Sequence, residues 1–236
     1  MIKLLIDIGN TCAKLAVSND GKFVHFERLS ESWEDAFSRL YRLYAFDYIV
    51  LSSVAGPDSE LDHALEDISV PHKRIEWNTP CPFKDISGIP EGYGSDRLAA
   101  DFGAFAQDSE STILVIDAGT CITYDLFSSQ GEIIGGVISP GVQLRLKAMH
   151  DYTALLPLFE AEIDAPLHGM TTKDCLMAGA VHGAEFEIIG YIRILQMQYP
   201  DLHVFLTGGN AFALPPDITC KVTRDPYLVL RGLDAL

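Results

Sequence analysis

The chain has 236 residues, 48% hydrophobic and 21% charged, and its 33 acidic side chains against 17 Lys and Arg give a formal net charge of −16. That balance excludes an intrinsically disordered protein, and so negative a surface repels phosphodiester backbones and anionic lipid, so neither a nucleic-acid nor a membrane partner is expected. A small anionic ligand remains compatible, because a local ring of backbone N–H groups overrides a distant field.

In chain order, IKLLID (2–7), CAKLAV (12–17) and KFVHF (22–26) read as three short strands joined by the turns GNT and SNDG, a β-meander. SESWEDAFSRLYRLYAF (30–46) has serine at its start and Trp33, Phe37, Leu40, Tyr41 and Tyr44 at helical spacing. A buried strand (47–54), a helix (59–68) and a short strand (72–77) follow. Residues 78–94, rich in proline and glycine, form the longest irregular segment and run into a helix over 95–107, which marks a functional loop.

A second meander then begins: STILVID (111–117), CITYDLF (121–127) and EIIGGVI (132–138). Helices are expected over 141–150 and 172–198, then a strand over 203–209 ending in a diglycine and a closing helix in YLVLRGLDAL. Leu4, Ile6, Asp7 and Gly9 recur as Leu114, Ile116, Asp117 and Gly119 at one offset of 110 residues. A fixed offset of this kind is the signature of duplication. Two α/β domains are therefore expected, 1–108 and 109–236, with both acid-glycine turns facing one cleft.

Each turn carries suitable chemistry. In DIGNT, Asp7 ends a strand, Gly9 lets a ligand approach the backbone, Asn10 and Thr11 offer donors, and Lys14 brings a positive charge. Such a turn suits a phosphate, with Asp7 arranging a hydrated divalent cation. DAGTCIT repeats the offer with Gly119, Thr120 and Thr123, and LTGGNA (206–211) adds a glycine-rich turn where an adenine could lie. No GxxxxGK[ST] sequence is present, which excludes a P-loop. In GSDR, Ser95 is expected as an N-cap, and Asp96 and Arg97 fall in the first helical turn. Capping alone accounts for an acid there. Arginine at a helix N-terminus opposes the dipole, which favours a functional pair: Asp96 as general base, Arg97 on an anionic substrate group. The seven histidines show no metal-ligand spacing.

The five cysteines (12, 81, 121, 175, 220) show no C-x-x-C pairing, which fits a reducing compartment. The apolar run before Asp7 is too short for a signal segment, and no stretch approaches the roughly 18 apolar residues of a spanning helix, so a cytoplasmic protein is expected.

DIGNTCAK, GSDR, DAGTCIT, GGVISPG, the TT and AGAVHG of the long helix, and LTGGNA occur in the order seen in type III pantothenate kinases, which the chain resembles over residues 4–234. The resemblance implies an α/β fold of duplicated actin-like (ribonuclease H-like) domains, each a mixed five-stranded sheet with flanking helices. It implies ATP-dependent phosphorylation of pantothenate, the first step toward coenzyme A, by a homodimer. On the same ground, Asp7, Ile8, Gly9, Asn10, Thr11, Cys12, Ala13, Lys14 and Thr120 would bind ATP, with its magnesium. Gly94, Ser95, Asp96 and Arg97 would bind pantothenate, Asp96 as the base and Arg97 on the carboxylate. Asp117 would hold a monovalent cation, potassium or ammonium, and Thr172 would meet pantothenate from the partner subunit. The family's tyrosine ahead of the GSDR box is replaced, since Ser87 and Gly88 stand there and Tyr93 is out of register. Two other readings compete: another small-molecule kinase or phosphohydrolase of the same superfamily, and a non-catalytic nucleotide-binding regulator. The long helix, with Leu176, Ala180, Ile188, Ile192 and Leu195 in one stripe, is the candidate dimer face, although a helix packed in the core would carry the same stripe.

Overall fold

A computed structural model describes residues 1–209 and 212–236. The chain forms two compact units, Met1–Ser109 with Gly131–Ile133 and Tyr227–Leu236, and Glu110–Gln130 with Ile134–Pro226. The sequence reading put the closing helix with the second half; it packs in the first unit.

The first unit opens with the expected meander, β1 (Ile2–Ile8), β2 (Ala13–Asn19) and β3 (Lys22–Arg28). Helix α1 (Trp33–Tyr44) is amphipathic, burying Trp33, Ala36, Phe37 and Leu40. Its N-cap is Ser32, whose hydroxyl accepts from Asp35 N, so the helix starts later than the sequence implied. Strand β4 (Tyr48–Ser53), α2 (Ser59–Ile68) and the three-residue β5 (His72–Arg74) complete a five-stranded sheet ordered β3-β2-β1-β4-β5. β1 runs antiparallel to β2 and parallel to β4. The irregular loop leads to α3 (Ser95–Phe105).

The second unit repeats this plan. Strands β6 (Thr112–Ala118), β7 (Cys121–Phe127) and β8 (Ile133–Pro140) form its meander, followed by α4 (Val142–Asp151), α5 (Thr172–Gln198), β9 (Leu202–Thr207) and β10 (Lys221–Arg224). The sheet order β10-β9-β6-β7-β8 is that of the first sheet, and β6 again pairs antiparallel with β7 and parallel with β9. Helix α6 (Leu228–Asp234) closes the chain beside α3 and β1 of the first unit. Two mixed five-stranded sheets with flanking helices make this the duplicated actin-like α/β fold. Strand β10 escaped the sequence reading because KVTR is only four residues long, has Val222 as its one apolar side chain, and lies on a sheet edge.

Side-chain parity sets what each strand offers. Leu4, Ile6 and Ile8 enter the core with Trp33, Phe37, Ile49 and Leu51, which turns Leu5, Asp7, Val50 and Ser52 to the other face of the sheet. In the second unit Leu114, Ile116 and Ala118 share a core with Val204, Leu206 and α5, leaving Asp117 and Thr207 on the opposite face. Each acid therefore has a hydroxyl residue beside it on the parallel neighbour strand, Ser52 for Asp7 and Thr207 for Asp117.

The α5 stripe expected at a dimer face lies inside: Leu176, Ala180, Ile188 and Ile192 are core residues of the second unit, and Leu195 packs against that core. The apolar side chains that α5 does expose are Phe186, Ile194 and Met197.

Candidate active site

Gly9 N donates to Cys12 O at 3.2 Å, closing the first hairpin around Asn10 and Thr11. Asn10 and Thr11 are exposed, Cys12 is half-buried, and Ile8 and Ala13 are buried in the strand ends that hold the bend. Asp7 is buried, and its carboxylate accepts from Lys14 Nζ at 3.2 Å and from Ser52 Oγ at 3.3 Å. Lys14 is the register partner of Asp7 across the antiparallel pair, which explains why an acid and a base seven residues apart meet. Ser52 was not singled out from the sequence. The signal lay in the parity of YIVLSS, which puts Ser52 on the non-core face.

The GSDR box sits at the start of α3. Its N-cap is Gly94, not Ser95, and the cap residue itself has no side chain to offer. The Ser95 hydroxyl instead accepts from Ser53 N at 3.1 Å and donates to Ser53 O at 3.0 Å, pinning the helix start to the end of β4. Asp96 serves the helix terminus in its place: its Oδ1 accepts from Arg97 N at 2.7 Å, one of the donors that a helix start leaves without an intrahelical partner. The carboxylate curls back so closely that a Cβ at Gly94 would lie 2.7 Å from Asp96 Oδ1.

Asp96 is raised above the usual carboxylate range, first by burial and then by the negative charge of Asp7, against the lowering effects of the Arg97 N–H and guanidinium. A carboxyl tuned upward by burial and a like charge is a stronger base than an ordinary carboxylate, which suits it to proton transfer. Arg97 lies with Cζ 4.4 Å from the centre of the Tyr93 ring. The first unit thus gathers Asp7, Lys14, Ser52, Ser95, Asp96 and Arg97 at the ends of β1 and β4 and the start of α3.

In the second unit Gly119 N donates to Cys121 O at 3.0 Å, leaving Thr120 exposed at the tip of a bend tighter than the first. Asp117 is half-buried, its Oδ1 3.3 Å from where a Cβ on Gly119 would stand. The glycines of GGVISPG and LTGG shape this bend from outside. A Cβ on Gly141 would lie 2.2 Å from Gly119 O, and one on Gly208 would lie 2.5 Å from Ala118 C. Three glycine-bearing segments thus pack backbone against backbone at the end of β6, where a side chain on Gly141 or Gly208 would have no room. Asn210 and Ala211, the last residues of LTGGNA, lie outside the described residues.

These acids offer hard oxygen donors, the ligand type that suits magnesium and monovalent cations. Among the described residues no group of three or more His, Cys, Asp and Glu converges on one point. A cation here would complete its shell with backbone, water or phosphate oxygens, as magnesium bound with a nucleotide does.

Thr172 is the first residue of α5 and is exposed, while Thr171 caps the helix by accepting from Asp174 N at 3.1 Å. The segment before it is tied down by His182, whose ring nitrogens face Glu185 Oε2 at 2.9 Å and Ala165 O at 3.1 Å. Both partners accept, so the doubly protonated ring satisfies both. The pKa of His182 is raised, chiefly by the bond to Glu185, against a lowering by burial. A raised folded-state pKa gives stabilisation that is complete below the ordinary histidine value of about 6.5 and fades as pH climbs through the folded value. The margin in melting temperature of the native chain over His182→Gln is therefore expected to be larger at about pH 6 than at about pH 8.5. An equal margin at both would remove the charged ring from this role.

A family profile described as type III pantothenate kinase matches residues 3–194. The chain is similar to the type III pantothenate kinase of Phocaeicola vulgatus, 37% identical over 235 residues, covering 100% of this chain and 97% of that protein. It is similar also to that of Bacteroides fragilis, at 38% identity over 235 residues and with the same coverage. Among solved structures it is similar to the ethanolamine utilization protein EutJ of Carboxydothermus hydrogenoformans. That likeness has a TM-score of 0.56 at 13% identity over 100% of this chain and 89% of that one, and is one of fold alone.

Proposed function

The chain belongs to the type III pantothenate kinase family, enzymes that phosphorylate pantothenate with ATP in coenzyme A biosynthesis, and from that premise we propose how its residues divide the work. Asp96 is the general base. It takes the proton of the primary hydroxyl as that oxygen bonds to the γ-phosphorus and the bond to the ADP oxygen breaks. The observation that carries this assignment is the placement of Asp96: a half-buried carboxyl at a helix start, raised by burial and by Asp7. Arg97 pairs with the pantothenate carboxylate, for which a planar guanidinium is the best-matched partner. Gly94 and Ser95 hold the pair in place, one by leaving room for the Asp96 side chain and the other through Ser53.

Phosphoryl transfer asks the protein mainly for positioning and charge neutralisation. Backbone donors of the bend from Asp7 through Lys14 and the Lys14 ammonium hold phosphate oxygens of ATP, and Thr120 contacts the same nucleotide. Magnesium arriving with ATP, and a potassium or ammonium ion at Asp117, offset phosphate charge that a chain of net charge −16 would otherwise repel. Thr172 reaches pantothenate from the partner subunit of a homodimer. Support for that comes from its exposure at the start of α5 and from the apolar Phe186 and Ile194 exposed on the same helix. Five free cysteines, and the absence of any membrane-crossing helix among the described residues, support a cytoplasmic setting.

An ATP-coupled assay with pantothenate, run with and without potassium, tests this division. Turnover is expected only with both. Asp117→Asn is expected to weaken the apparent potassium affinity by at least the roughly tenfold that loss of even an outer metal partner costs. Undiminished potassium stimulation in that variant would take the ion away from Asp117.

A further inference from the structure

Tyr93 occupies a place that the pantothenate site leaves unexplained. It precedes Arg97 by four residues and Asp101 by eight, and it is buried although it belongs to the irregular loop before α3. A turn carries it back over the helix: Tyr93 N donates to Pro90 O at 3.2 Å, and Gly92 between them has φ 78. The ring then lies along the face of α3 that holds Arg97 and Asp101. Its hydroxyl donates to the fully buried Asp101 Oδ2 at 2.9 Å, and its π-face lies 4.4 Å from Arg97 Cζ. A hydrogen bond to a buried carboxylate fixes the ring, and the fixed ring offers the guanidinium a flat negative face.

We propose that Tyr93 is a positioning residue for pantothenate recognition: its ring, anchored through Asp101, shelves the Arg97 guanidinium so that its donors are already oriented for the substrate carboxylate. This rests on the assignment of Arg97 to that carboxylate. The physical reason is entropic. Arginine carries large rotamer freedom, and holding its plane before the ligand arrives reduces what binding must order. A merely structural Tyr93 would fill the space above α3 and leave substrate selectivity alone.

The test uses two acceptors with the same primary hydroxyl, pantothenate and panthenol, in which an alcohol replaces the carboxylate. Each is measured as a substrate or as a competitive inhibitor. Tyr93→Leu is expected to weaken pantothenate by about three- to tenfold in KM, the range of a partly desolvated cation–π contact, with panthenol and the KM for ATP unchanged. Tyr93→Phe, which keeps the ring and loses only its anchor, is expected to recover most of that loss. Arg97→Met serves as the reference. If Arg97→Met fails to discriminate the two acceptors, the carboxylate assignment itself falls. If it discriminates and a folded Tyr93→Leu does not, that assignment stands and the shelf is overturned. Should Tyr93→Leu not fold, the native protein still decides. A guanidinium held over a ring shows an upfield-shifted Arg97 Nε–H signal, assigned by its loss in Arg97→Lys, and an unshifted signal overturns the proposal.

Discussion

Asp96→Asn is expected to lose about 10²- to 10⁴-fold in kcat, the usual worth of a positioned general base, while nucleotide binding persists. Asparagine keeps the shape and can still accept from the Arg97 N–H, so α3 should start where it does now. What it cannot do is accept the hydroxyl proton. Lys14, Ser52 and the bend after Asp7 are untouched by the substitution, so the affinity for ATP should stay near native. The pH profile gives a second readout. Burial and Asp7 hold Asp96 above the ordinary carboxylate range, so the acid limb of kcat/KM should lie above that range. Below that limb Asp96 is protonated and inactive as a base; above it the carboxylate is ready. In Asp7→Asn one raising charge is gone, and the limb should move toward lower pH. Full activity of Asp96→Asn, or an acid limb indifferent to Asp7, would take the base away from Asp96.

The parts of this site that lay in the sequence are those built from local pattern. The apolar runs ending in Asp7 and Asp117 identify β1 and β6, and their constant offset gives the duplication, because a duplicated strand–turn–strand keeps both its parity and its punctuation. Ser95 shows where local pattern fails. From sequence it reads as an N-cap, since a serine before a helical run normally is one, but its hydroxyl is bonded to both backbone groups of Ser53, a residue 42 positions away. Asp96 and Gly94 take over the helix terminus as a result. The stripe on α5 is ambiguous for a related reason: periodicity reports which residues share a face, not which neighbour covers it, and here the cover comes from β6, β7, β9 and α4 of the same unit. Tyr93 looked like a family residue out of register. Its value depends on a chain reversal at Gly92 and on two partners on α3, neither of which spacing reveals.

The close approach of α3 and α6 makes a different kind of demand. A Cβ on Gly232 would lie 1.8 Å from Ala99 O, and one on Gly103 would lie 2.1 Å from Leu228 O, so the two helices touch backbone to backbone at paired glycines. Neither contact is with a flexible side chain that could move aside. Gly232→Ala is therefore expected to cost about 3 kcal/mol, the upper part of the usual range for overpacking, or about 6–12 °C in melting temperature for a domain of this size. Gly190→Ala makes the opposite case. It lies inside α5 with nothing within 4 Å of its added Cβ, so alanine should stabilise by about 0.5–1 kcal/mol through helix propensity alone. The pair separates close packing from propensity, because the same substitution in two helices should move stability in opposite directions. Catalysis should follow a third course. Ser95 pins the start of α3 to β4, whereas Ala99 and Gly103 meet α6 farther along the helix. Strain from Gly232→Ala thus enters away from Asp96, and kcat should remain near native well below the transition. A fall in kcat at low temperature would mean that α3 moves as a rigid rod and that α6 sets the position of the base. An unchanged melting temperature would mean that the two helices stand farther apart than their glycines allow.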